Sequence, residues 1–176
     1  KYLRKYTKKR HECQEVALLL SSFQVSGYYY RKIKDTYMGK IIALANQKGG
    51  VGKTTSAVNV AASLGLFDKK VLMIDLDLRK ASLSKALNVE HSGVAAYLNG
   101  KTDSYSDNAE EIAPNLFVLP VGTLPPNPTE LLLTDRFKEM IEDMKKEYDY
   151  VFIDCPPSLE LLTLNGLCAA GSILVP

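Results

Sequence analysis

The residue types able to do chemistry lie in a glycine-rich run, KGGVGKTT at residues 48–55, and in three aspartates, Asp75, Asp77 and Asp154, each at the end of an apolar run. A phosphate needs several backbone N–H donors converging on it, and glycines let the backbone take the required dihedrals while leaving the anion room. Gly49, Gly50 and Gly52 supply that freedom, with Val51 between them. A helix starting near Lys53 adds its free N–H groups and the positive end of its dipole. Lys53 would then reach the β- and γ-phosphates and the Thr54 hydroxyl would hold Mg²⁺, with Lys48 and Thr55 as the outer residues of the nucleotide-binding run.

For such a loop to work it must leave a buried strand and enter a helix, and the flanking sequence has that form. IIALAN at residues 41–46 reads as a buried strand, and a helix is expected from about Lys53 to Leu66. Further strands are expected at VLMIDLD (71–77), LFVLPV (116–121), YVFID (150–154) and SILVP (172–176). Phe137, Met140, Ile141 and Met144 recur at i, i+3, i+4 and i+7, an apolar stripe on a helix over about 129–148 whose outer face carries Lys138, Glu142, Lys145 and Lys146. A last helix covers about 159–170. Strands alternating with helices imply parallel pairing through crossovers, hence a three-layer α/β/α fold with a mainly parallel sheet. Residues 101–108 are expected as a polar surface loop, and residues 124–128, with three prolines, as an extended connector. Gly93, Gly100 and Gly122 read as turn or helix-end residues, and no internal repeat is visible.

The acids fall at strand ends, where parallel sheets bind ligands. Asp75 and Asp77 are two apart, so a strand's period of two puts them on one face. Asp75 has two readings, a metal-site or switch residue and a structural carboxylate that caps a loop. Asp154 ends YVFID and precedes Cys155, Pro156 and Pro157, the arrangement of an acid that holds Mg²⁺ directly or through water beside a phosphate loop.

A 46% apolar and 24% charged composition over 176 residues suits one soluble globular domain, and the formal net charge of +2 conceals a basic start ahead of a mildly acidic remainder. Cys13, Cys155 and Cys168 form neither a CxxC pair nor a disulfide framework, which fits a reducing compartment. His11 and His91 stand alone, without a metal role. No apolar run approaches the roughly 20 residues that span a bilayer. The stretch VALLLSSF is too short and lacks a cleavage site for a secretory signal. Residues 1–37 fit the α/β scheme poorly, and Met38 precedes GKIIALANQKGG directly; they are expected to be an upstream extension, disordered or not native, with a basic arm touching nucleic acid or an acidic membrane as the alternative. The division expected is therefore 1–37 and 38–176.

The strict phosphate-loop pattern asks for glycine where this chain has Gln47. What stands instead, KGGVGKT with the additional Lys48, resembles the deviant Walker A motif of the ParA/MinD superfamily of P-loop NTPases. That resemblance implies that Lys48 contacts phosphates across a nucleotide-bound homodimer. It gives Asp77 the task of orienting or activating the attacking water, so that Lys48, Lys53 and Asp77 form the catalytic group and Thr54, Asp75 and Asp154 the metal group. ANQKGGVGKTTSAVNVAASL and YDYVFIDCPPSLELLTLNGLCAA look like chromosome and plasmid partition ATPases. DLRKASLSKALN and LPPNPTELLLTDRF look more like the tyrosine kinases of bacterial capsule and exopolysaccharide systems. Partition ATPases usually carry DPQGN where this chain has DLRKA.

The ends carry the more specific features. The resemblance therefore implies an ATP- and Mg²⁺-dependent dimer switch for partitioning that binds DNA nonspecifically and is stimulated by a ParB-like partner, in the cytoplasm and associated with the nucleoid. Capsule-type tyrosine kinase and non-hydrolysing nucleotide-dependent regulator are the alternatives. Relatives continue beyond the strand near Pro176 into the adenine pocket, so the chain is expected to be the amino-terminal part of such a domain, with ATP over GTP implied by the family alone.

Overall fold

Apolar residues in strands 71–75 and 150–154 alternate between two sides, and the two sides bury different partners. In the computed structural model, which describes residues 38–89, 91–158 and 160–176, the strands are β1 (Lys40–Leu44), β2 (Val71–Asp75), β3 (Glu110–Ala113), β4 (Leu116–Leu119), β5 (Tyr150–Asp154) and β6 (Ser172–Leu174). The helices are α1 (Lys53–Leu66), α2 (Ser82–Leu87), α3 (Val94–Leu98), α4 (Pro128–Leu131), α5 (Asp135–Glu147) and α6 (Leu161–Ala169). Val71, Met73 and Phe152 pack with Ala57 and Ala61 of α1, whereas Leu72, Ile74, Val151 and Ile153 pack with Phe137, Met140, Ile141 and Met144 of α5 and Leu162 of α6. Helices therefore cover both faces of a mainly parallel sheet, the expected three layers.

The strand order is β3-β4-β2-β5-β1-β6, parallel throughout except for the antiparallel β3–β4 pair. β5 thus lies between β1 and β2, with Leu44 and Asp75 both in register with Asp154. That register is what brings the phosphate loop after β1 and the acids after β2 and β5 to one edge. β3 was not foreseen, because Glu110 and Glu111 are exposed on an edge strand and carry no apolar alternation.

The sequence expectation is corrected at several boundaries. The strand from Val71 stops at Asp75, so Asp75 and Asp77 do not share one strand face. The long helix is two helices, because Thr134 takes an extended conformation and its hydroxyl donates to the Leu131 carbonyl at 2.7 Å, ending the first helix locally. Pro128 begins α4 and does not end an extended connector. Residues 101–108 are exposed only in part, since Tyr105 and Asn108 are buried and residues Ser106–Asn108 form a 3₁₀ turn. The expected stripe of α5 is buried at all four positions, each contributing roughly 1.5–3 kcal/mol. The reading of residues 1–37 as an extension lies outside the described residues.

Gly93 starts α3 against the end of β4, where Val94 N donates to Pro120 O at 2.8 Å and Ala95 N to Val121 O at 3.1 Å. A Cβ on Gly93 would stand 1.9 Å from Pro120 O, which is backbone and cannot swing aside. Gly93→Ala is expected to lower the thermal midpoint by about 5–15 °C, the equivalent of a few kcal/mol of overpacking. A midpoint within 2 °C of the parent, read as about the error of a melt, would show that this close approach relaxes freely.

Candidate phosphate-binding site

Gly50 and Gly52 sit at φ 74° and 91°, left-handed conformations that glycine takes without strain, and a Cβ at either would meet nothing within 4 Å. The loop therefore presents bare backbone to open space. Gly52 is also the residue before α1, so the free N–H groups of a 14-residue helix face the same space. Gly49, Gly50, Gly52, Lys53, Thr54, Thr55, Asp77, Ser82, Asp154, Cys155 and Pro157 line a cavity of about 230 Å³ there.

Lys53 is only 7% exposed and its ammonium donates to the carbonyls of Asn46 and Lys48, each at 3.2 Å. The long side chain thus curls under the loop, a buried cation held by neutral acceptors. Across the cavity Thr54 Oγ1 donates to Asp154 Oδ2 at 2.5 Å, while Asp154 Oδ1 is buried without a partner. Burial raises the Asp154 carboxyl to about 6, further helped by Asp75 and Asp77 and opposed by the Thr54 hydroxyl and Lys53. An unpartnered carboxylate oxygen beside a threonine hydroxyl fits Mg²⁺, a hard cation that binds one or two protein oxygens and completes its shell with water and phosphate. Among the described residues no group of three or more His, Cys, Asp or Glu gathers to hold a metal without such help.

Asp77 lies beyond the end of β2, buried at the cavity wall. Its Oδ1 accepts from Lys80 N at 3.1 Å and its Oδ2 from the Ser82 hydroxyl at 2.9 Å, which fixes the carboxylate's orientation. Asp75 does not line the cavity; it is fully buried and accepts from Asp77 N, Ser84 N and Ser84 Oγ. Burial raises its carboxyl. Of its two readings, this placement matches the structural carboxylate. Lys48 is exposed, its N–H held by Asn46 Oδ1 at 3.0 Å, and neither it nor Val51 lines the cavity.

The sequence reading missed Ser82, Cys155 and Pro157 as wall residues. Nothing in the spacing of Ser82 marks it, whereas Cys155 and Pro157 follow Asp154 so closely that a signal was available. Burial raises the Cys155 thiol to about 12, so it is an inert wall group at neutral pH. Arg79 pairs with Glu160, linking the loop after β2 to the one after β5. Cys168 is exposed, and among the described residues no helix is long and apolar enough to cross a membrane.

A buried carboxylate with one orphaned oxygen costs stability when charged. Since the folded carboxyl titrates near 6, above its usual 3.8, its contribution to stability is full below the lower value and is lost as pH rises through the higher one. Asp154→Asn is expected to stabilise the nucleotide-free protein at pH 7.5 by about 1–3 kcal/mol, and the gap should close towards pH 4. Melting curves of both proteins across that range would reveal it; a variant less stable than the parent at pH 7.5 would refute it.

Comparison with known proteins places this geometry in a family. The model of a family described as "AAA domain" matches residues 39–176. The sporulation initiation inhibitor protein Soj of Bacillus subtilis is 40% identical over 152 residues, covering 79% of this chain and 58% of the relative. The kinase domain of the Escherichia coli tyrosine kinase ETK superposes with a TM-score of 0.74 at 29% identity, over 84% of this chain and 58% of that one. The septum site-determining protein MinD from Pyrococcus horikoshii, complexed with Mg-ADP, gives 0.66 at 29% identity, over 78% and 57%. The chain thus spans a little over half the length of the curated relatives it matches.

Proposed function

The chain belongs to the AAA-domain family, among its ParA/MinD-like P-loop ATPases, and we propose that it works as the nucleotide-binding core of an ATP- and Mg²⁺-dependent partition switch. The observation that carries this reading is the meeting, at one sheet edge, of a bare glycine loop, Lys53, the Thr54–Asp154 pair and an oriented Asp77. Lys53 leaves the Asn46 and Lys48 carbonyls for the phosphates, exchanging neutral acceptors for charged ones. Thr54 and Asp154 would hold Mg²⁺, whose charge would offset that of the bound phosphates. Asp77, held by Ser82 and Lys80 N, accepts a hydrogen bond from the attacking water and aligns it.

In the dimeric form of this reading, exposed Lys48 reaches the phosphates of the facing subunit. The nucleotide-bound dimer binds DNA without sequence preference, in the cytoplasm and on the nucleoid, and separates after hydrolysis stimulated by a ParB-like partner. Partition proteins among the relatives support that assignment. Two comparisons favour a second reading: the ETK kinase domain shares the fold, and a Streptococcus agalactiae tyrosine-protein kinase is 38% identical over 120 residues.

The test follows the γ-phosphoryl group. Complete protein, Mg²⁺ and γ-labelled ATP are incubated with and without DNA and a candidate ParB-like protein. Free labelled phosphate, released faster with both additions, is expected. Label retained on protein tyrosine would transfer the chain to the kinases.

A further inference from the structure

Beneath Asp77 lies a second set of hydrogen bonds, made to it and to one another by Asp75, Ser84 and Val121, none of which lines the cavity. Asp75 Oδ1 accepts from Asp77 N at 3.0 Å, so the carboxyl of the last β2 residue fixes where the Asp77 backbone leaves the sheet. The other oxygen, Oδ2, accepts from Ser84 N at 2.8 Å and from the Ser84 hydroxyl at 2.7 Å. That hydroxyl in turn accepts from Val121 N at 3.1 Å, just past β4. Asp75, Asp77, Ser84 and Val121 are all buried, so water does not substitute for any of these partners.

We propose that Ser84 is a positioning residue for Asp77, acting through the Asp75 carboxyl and anchored to the sheet by Val121 N. Ser82 orients the Asp77 side chain directly, whereas Ser84 sets its backbone origin. Two features favour this over general support of α2. The serine hydroxyl donates and accepts at once, which alanine cannot do, and both of its partners lie outside its own helix. Moreover, Asp75 accepts from Asp77 N and from Ser84 on different oxygens, so tilting the carboxyl to follow Ser84 necessarily moves the acceptor that holds Asp77. A displacement of about 1 Å at a catalytic carboxylate is enough to cost up to about 100-fold in rate.

The catalytic part of this inference rests on the ATPase reading above; the positional part does not. Ser84→Ala and Ser84→Thr are compared with the parent by three measurements on the complete protein: hydrogen–deuterium exchange, affinity for a fluorescent ATP analogue, and steady-state phosphate release. For Ser84→Ala, faster exchange is expected over residues 76–81 with parental protection in α1. Analogue affinity should stay within about twofold while kcat falls roughly tenfold, and Thr, which keeps the hydroxyl, should recover most of that loss. Parental exchange over residues 76–81 in the alanine variant would overturn the proposal, as would an equal rise across the whole sheet. If the parent releases no phosphate, the ATPase reading fails and the exchange pattern alone decides Ser84's role.

Discussion

Lys53→Ala is expected to weaken nucleotide binding by at least about 100-fold while leaving the fold intact. The ammonium sits beneath the glycine loop, and in the free protein it donates only to the Asn46 and Lys48 carbonyls. A charge-assisted hydrogen bond to phosphate is worth roughly 1.5–3 kcal/mol, and a lysine that contacts two phosphates gives two of them. Losing both accounts for the expected factor, and the glycine N–H donors and helix dipole that remain are too few to compensate. Stability should change little, since Asn46 is half-buried and Lys48 exposed, which leaves their carbonyls within reach of water, and the variant no longer buries a cation. Titration of a fluorescent ATP analogue, with a melting curve as control, decides it. Parental affinity in a folded variant would remove Lys53 from the phosphate site.

Asp77→Asn should do the opposite, binding the analogue within about threefold of the parent while turnover falls by about 10²–10⁴, the range for a lost general base. Asparagine keeps an oxygen for Lys80 N, and the Ser82 hydroxyl can reverse its role to accept from the new amide, so the loop stays in place. Asp77→Ala removes both acceptors and should also spare binding and stop turnover, because the phosphate contacts come from the other wall. The decisive comparison is between binding and single-turnover phosphate release in each variant. Equal loss of binding in Lys53→Ala and Asp77→Asn would contradict the separate roles given to the two residues.

Both expectations depend on features read with different ease. Lys53 and Thr54 were legible as candidates because a glycine loop of this kind is a local object: consecutive residues, a strand before and a helix after, with glycines where the backbone turns left-handed. Asp154 was legible because a fully apolar strand that ends in an acid stands out from its surroundings. Asp75 and Asp77 were located but their relation was misread, since a spacing of two describes one face only while the strand continues, and β2 ends at Asp75. The short helices α2 and α3 carry too few turns for a periodic signal.

The sequence by itself determined the layered α/β architecture, the glycine loop between β1 and α1 and the buried stripe of α5, because each of these follows from contacts within a few residues or one period of an element. Only the tertiary structure decided that β5 lies between β1 and β2, setting Asp154 across from Thr54. Only the tertiary structure, likewise, showed that Ser82 holds the Asp77 carboxylate and that Ser84 joins Asp75 to Val121 N. Strand order and loop-to-loop hydrogen bonds join residues tens of positions apart, and no local pattern records which of many polar residues will be buried against which acid. That choice is made when the sheet closes and each buried donor must find an acceptor.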